Sequence, residues 1–342
     1  MSIRPLHTTT DYGELKRRVK DLGLLRPQLG YYGLKTAVTF LILAAAIAIA
    51  VVATHPAVLL LDAVFLGFAS TQVALLAHDI GHRQAFRGTR TNLMARFFIG
   101  NVILGISHSW WNVKHNQHHA TPNHVDLDPD IQFPMVVFSV EQIASRARWM
   151  RPLIGMQAFV FPLLLPLQAL NMRINSVQHL FGGKARRPLL QAFFMVCHVA
   201  LYALLLAHMG SWGLALAFFA VHHATFGLYN SSVFASNHKG MPVIAANSPR
   251  DFLREQVVTA RNLHGHPLTD FWYGGLNYQI EHHLFPTMAR NNLSRAQGVV
   301  RAFCAERGIP YHATGLIEAY RETFSHLHQV SASLRSRRGA LA

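Results

Sequence analysis

The hydrophobic and polar positions divide this chain into long charge-free runs joined by short, mostly basic connections. Thr36 to Ala53 carries no charge and is long enough for a marginal membrane span. Pro56 to Ala77 is a second such run, interrupted only by Asp62. Pro188 to His238 has no formally charged residue when histidine is taken as neutral, and Met209-Gly210-Ser211 splits it into two halves of spanning length. The pattern predicts four spans, about 36–54, 56–77, 188–208 and 212–236, folded as two tight transmembrane hairpins. Pro152 to Leu170 is also apolar, but Pro162 and Pro166 interrupt it, and it reads as an interfacial or re-entrant helix. Strand signals are weak. The expected fold is an all-α integral membrane protein in one domain over 1–342, with a helical cap formed by 78–187 and 237–342.

Composition agrees: 51% of residues are hydrophobic and 14% charged, where soluble domains carry about a quarter. The net charge of +15 could suit nucleic acid, but most of the excess flanks the apolar runs, where it faces anionic lipid headgroups; nucleic acid is not an expected partner. The turns at His55-Pro56 and Met209-Gly210-Ser211 carry no basic residue. Lys16, Arg17, Arg18 and Lys20 precede the first run, Arg83 to Arg96 follow the second, and Arg186 and Arg187 precede the third. The positive-inside rule then puts both termini and the cap in the cytoplasm, with the protein in the inner (cytoplasmic) membrane. If Pro152–Leu170 crossed the bilayer, His238 would lie on the opposite side from His78 and His119. No secretory signal pattern is evident. Cys197 in a span and Cys304 in the tail are not expected to pair.

Chemistry concentrates in four histidine clusters beside these runs: His78-Asp79-Ile80-Gly81-His82, His115-Asn116-Gln117-His118-His119, Asn237-His238 and Gln279-Ile280-Glu281-His282-His283. On a helix, residues three and four apart share a face, so each multi-histidine cluster can aim two or three imidazoles at one point. Neutral imidazole suits Fe, Zn, Cu and Ni. Eight such ligands exceed the needs of one ion and predict a two-metal site on the water side of the membrane. His198 and His208 are expected to be hydrogen-bonded core residues. His222-His223 lies about 24 Å along its helix from His238, too far to share a metal, and is expected to line a buried cavity.

From roughly Tyr31 to Tyr320 the chain resembles the integral-membrane fatty acid desaturases, most closely in HDIGH (78–82), WWNVKHNQHH (110–119), DPDI (128–131), NHKGMP (237–242) and GGLNYQIEHHLFP (274–286). Within that family it looks like the bacterial acyl-CoA and acyl-lipid branch, and the glutamine heading the last box is shared with front-end desaturases. The resemblance implies a non-haem di-iron centre with His78, His82, His115, His118, His119, His238, His282 and His283 as ligands. Gln279 stands where other branches place a ninth histidine: as a weak ligand, a water-mediated one, or an open position. Asn237 is placed to hold a metal-bound water. Asp79 and Glu281, and with them Asp128 and Asp130, are expected to accept N–H from ligand imidazoles; for the last two, a role as turn or helix-capping carboxylates stays open. His108 departs from the family pattern, and a place near the site or on the surface is expected for it.

The resemblance further implies O₂-dependent conversion of a methylene pair in a fatty acyl substrate to a cis double bond, with membrane lipid around the enzyme. The stretch before the first span is too short for a cytochrome b5-like domain and lacks its HPGG motif. Electrons are therefore expected from a separate ferredoxin or cytochrome b5-like carrier with an NAD(P)H reductase, docking near basic residues such as Arg83, Arg87, Lys114 and Lys239. Two other readings compete. A di-iron lipid or carotenoid hydroxylase or ketolase shares the oxidant and is separated by product analysis. A non-catalytic metal transporter would place its ligands at mid-membrane rather than at one edge.

Overall fold

The computed structural model describes residues 8–86, 88–183 and 185–339. It is mostly helical, with one pair of two-residue parallel strands among the described residues, Asn262–Leu263 and Ala313–Thr314. The chain forms two compact units, one of residues 28–115 and 161–234, the other of 1–27, 116–160 and 235–342. This division differs from the expected cap over 78–187: residues 78–115 and 161–187 fold with the apolar helices.

In the first unit, three helices among the described residues are long and apolar enough to cross a membrane: Leu29–Val52, Pro56–Gly81 and Pro188–Ala207. The first begins seven residues before the charge-free run, because Lys35 finds a partner inside the unit, donating to Gln72 Oε1 at 3.1 Å. The second starts on Pro56 at its first turn, where the His55 ring accepts the Ala57 N–H at 3.2 Å, and runs on through His78. It is the inner helix: 61% of its most apolar window is buried, against 22% and 11% for the other two. Leu41, Leu61, Leu189, Phe193, Leu204 and Trp212 point outward, a face that hydrocarbon suits and water does not.

The fourth predicted span exists as a continuous helix, Trp212–His238, but falls outside the set of sufficiently apolar helices. Its polar residues lower its hydropathy and face inward: His222 meets Ser70 at 3.2 Å and Tyr202 at 2.7 Å, and Tyr229 accepts from Gln72 at 2.8 Å. His198 and His208 bond the carbonyls of Val102 and Val51 at 3.0 and 2.7 Å. The Pro152–Leu170 segment is broken: the helix Arg151–Gly155 ends at Met156, the chain bends sharply, and Gln157–Leu164 follows. The carbonyl of Pro166 lies so close to Gly227 that any side chain there would collide with it.

The second unit builds its core from Leu15, Val19, Leu253, Val257, Ile280, Leu284 and Phe303. The helix Thr8–Asp21 lays its apolar face on this core, and Tyr12 donates to the Leu284 carbonyl at 2.8 Å. The fully buried Arg261 ties the chain after His238 to the helix Leu316–Val330 by donating to the carbonyls of Lys239 and Ala319 and to Glu322.

Candidate metal centre

In the second unit, His118, His238 and His283 converge, each offering a ring nitrogen within 4.8 Å of the others, and all three are buried. They come from three places: the helix His108–Ala120, the end of Trp212–His238, and the helix Gln279–Leu284. Each ring has its Nδ1 fixed by an oxygen. Asp128 brings both carboxylate oxygens to 3.0 Å from His118 Nδ1. The Thr259 carbonyl lies 3.0 Å from His238 Nδ1. Gln256 Oε1 lies 2.8 Å from His283 Nδ1, and its orientation is set because its Nε2 donates to the His119 carbonyl at 2.8 Å. A carbonyl or carboxylate oxygen only accepts, so each Nδ1 carries a proton and it is the Nε2 side of each ring that faces the others. His283 Nε2 is buried with no hydrogen-bond partner among the described residues.

Charge agrees with this tautomer. Burial, joined by the neighbouring His118 and Lys239, holds His238 well below the ordinary histidine value; burial and the surrounding imidazoles do the same for His283. Both rings are therefore neutral near pH 7, the form that ligates metals. Burial alone would raise the Asp128 carboxyl, but His118, Lys239 and the Asn123 N–H outweigh it and hold it below the usual range. Asp130 lies farther from His118 Nδ1, at 3.4 Å. Asp128 also caps the turn Pro129–Ile131 by accepting the Asp130 N–H at 2.8 Å.

His119 and His282 belong to the same unit, with Nε2 atoms 3.2 Å apart, and the His119 ring stacks on His283 at 4.2 Å. In the other unit, His78, His82 and His115 form a second buried trio, with ring centroids 4.7 to 4.8 Å apart and the Nε2 atoms of His82 and His115 at 2.8 Å. Trp111 stacks on His115 at 4.4 Å, and its ring fills the space beside Gly81, where any side chain would collide with it. Each cluster of buried imidazoles has the donor set that a first-row transition ion such as iron takes.

Several residues sit differently from expectation. Glu281 turns to other partners: its carboxylate accepts from Asn262 at 2.6 Å and Tyr311 at 2.8 Å. Burial pushes it up to about 7, although both hydrogen bonds work the other way. Asp79 lies 3.6 Å from His78 Nδ1, beyond hydrogen-bond length. His108 points to Asn101, Nδ1 to Oδ1 at 3.0 Å. Lys239 is no surface cation: it is 8% exposed, donates to the Asp130 carbonyl at 2.6 Å and sits 4.5 Å over the Phe138 ring. Burial brings it down to about 8. Arg83 is exposed and Lys114 half-buried, while Arg87 lies outside the described residues. Gln256 and Thr259 are hydrogen-bond partners of the trio that the sequence did not mark.

Residues 53–315 match the family model described as Fatty acid desaturase. The Delta(6)-fatty-acid desaturase fat-3 of Caenorhabditis elegans is 29% identical over 340 residues, covering 95% of this chain and 76% of the relative. The Delta(5) fatty acid desaturase fat-4 of the same organism is 30% identical over 80% of this chain and 64% of its own length. An acyl-lipid (9-3)-desaturase of Physcomitrium patens is 30% identical over 94% of this chain and 62% of its own length. The chain thus spans less than two thirds of two of these three relatives. With the family model covering most of its length, the chain belongs to the fatty acid desaturase family.

Proposed function

We propose that this protein introduces a cis double bond into a fatty acyl chain, carried by CoA or lipid, and that the eight histidines together hold two iron ions. The reaction takes the acyl –CH₂–CH₂– unit, O₂, two electrons and two protons to –CH=CH– and two waters. The irons, when bound, supply the oxidising power that an unactivated methylene requires. The chain's own residues do the rest. Asp128, Thr259 and Gln256 hold imidazoles in the ligating tautomer, and burial of the trio excludes water from the reacting region. The electrons come from a ferredoxin or cytochrome b5-like carrier served by an NAD(P)H reductase. The chain crosses the inner membrane four times, with both termini and the histidines cytoplasmic. The names Delta(6) and Delta(5) of the relatives count from the carboxyl carbon and favour a double bond near that end.

The observation that carries this reading is the buried, converging trio of His118, His238 and His283, each with its Nδ1 fixed by an oxygen. The test is expression in a host fed defined fatty acids, with lipid profiling and iron analysis of the purified protein. Two irons per chain and a new cis-unsaturated product are expected. His118→Ala and His282→Ala should lose product while still inserting in the membrane, and full activity in either would overturn the reading. A hydroxylated product would point instead to the hydroxylase chemistry.

A further inference from the structure

The helix Gln279–Leu284 carries His282 and His283, yet its own N-cap residue, Tyr278, gives it no side-chain cap. The acceptor comes from farther back in the chain. Asn262 Oδ1 takes the Ile280 N–H at 2.9 Å, one of the donors that a helix start leaves open. That bond fixes the Asn262 amide, because a backbone N–H only donates. Its NH₂ therefore faces the other way, with one proton for Glu281 Oε2 at 2.6 Å and one for the Tyr311 hydroxyl at 2.5 Å. Tyr311 in turn donates to Glu281 Oε1 at 2.8 Å. Every polar atom of the Asn262 side chain and both oxygens of Glu281 are thus paired, and both residues are fully inaccessible to solvent.

Asn262 is itself held by the backbone. It pairs with Ala313 in the short parallel strands, and its N–H donates to the His312 carbonyl at 3.0 Å. The next residue, Leu263, donates to the Asn277 carbonyl at 2.8 Å, two residues before the helix begins. We infer that Asn262 is a positioning residue for the candidate metal centre: with Glu281 and Tyr311 it sets the orientation of the helix that presents His282 and His283. It acts through Ile280 and Glu281, the two residues before His282. A helix of six residues has few internal bonds with which to hold its own orientation. Neighbouring residues point about 100° apart around a helix axis, so a modest turn of this helix swings both imidazoles away from their partners. Glu281 then stands between ligands as the anchor on the opposite side of the helix. This inference rests on the two-metal reading above.

The test uses the full-length protein in detergent, with Co(II) as the probe. Asn262→Asp keeps the shape and the acceptor for Ile280 but sets a carboxylate against Glu281. At mildly alkaline pH it should weaken Co(II) binding about 10-fold or more and alter the visible Co(II) spectrum. Adding Glu281→Gln puts a donor opposite the new acceptor, and the double variant should recover most of the affinity and the wild-type spectrum. Tyr311→Phe removes one hydrogen bond while keeping the ring, and covers the case in which Asn262→Asp does not fold. It should bind Co(II) more weakly, by a smaller factor, with its helical circular dichroism unchanged. Wild-type Co(II) affinity in both Asn262→Asp and Tyr311→Phe, or a double variant no better than Asn262→Asp alone, would overturn the inference. Wild-type protein that binds no Co(II) would instead sink the two-metal reading and the role of Asn262 with it, so the two failures are distinguishable.

Discussion

Single oxygens set the orientation of the imidazoles in the buried trio. An imidazole can ligate through either nitrogen, and Asp128, Thr259 and Gln256 choose for three of them by occupying Nδ1. Asp128→Asn keeps the shape but removes the charge that holds His118. Partners of this kind are worth about 10–100-fold in metal affinity, so the variant should bind Co(II) more weakly by that order while its helical circular dichroism stays unchanged. Metal titration measures it, and wild-type affinity would show that Asp128 serves the turn alone. At this scale the sequence was partly readable. The histidines stand out by spacing, and Asp128 is only ten residues from His118. Thr259 acts through its backbone carbonyl, which no side chain advertises. Gln256 reaches His283 across 27 residues of chain. Glu281 misleads because residues adjacent on a helix point to different faces, so lying beside a ligand does not mean touching one.

Elements bring these residues to their places, and one contact between helices matters most for the trio of His78, His82 and His115. Trp111 stacks on His115 and fills the space beside Gly81, three residues past His78. Gly81→Val would force the indole away, and overpacking of this kind costs about 1–3 kcal/mol. The variant should melt earlier in detergent, change its tryptophan fluorescence and lose metal. An unaltered melting temperature and metal content would show that the ring can shift freely. The helices themselves were readable from length and charge alone, yet their ends were not. Lys35 hides the true start of the first helix, since a cation bonded to a buried glutamine no longer acts as a boundary. His222, His223 and Asn230 lower the hydropathy of Trp212–His238 while turning inward, which a linear pattern cannot distinguish from exposure. Nor could it foresee that residues 78–115 pack with the membrane helices rather than with the rest of the expected cap.

At the scale of the whole molecule, the net charge of +15 acts through its placement. Basic residues cluster at Lys16 to Lys20, Arg83 to Arg96 and Arg186 to Arg187, and are missing from the turns at His55 and Gly210. Asymmetry in short loops sets orientation, because lysine and arginine resist transfer across the inner membrane. The proposed topology follows: His55 and Gly210 outside, and the segment around Gly182 inside with both termini. The break at Met156 and the prolines that follow favour a segment that returns to the side it entered. Reporters active only outside the membrane, fused at His55 and Gly210, should give signal, and the same reporter at Gly182 should give none. A cytoplasmic reporter should show the opposite pattern. External signal at Gly182 would mean that the Pro152–Leu170 segment crosses the bilayer. With that fifth span, His238 and His283 would be separated from His78 and His82 by the membrane, and the eight histidines could not share one two-metal centre.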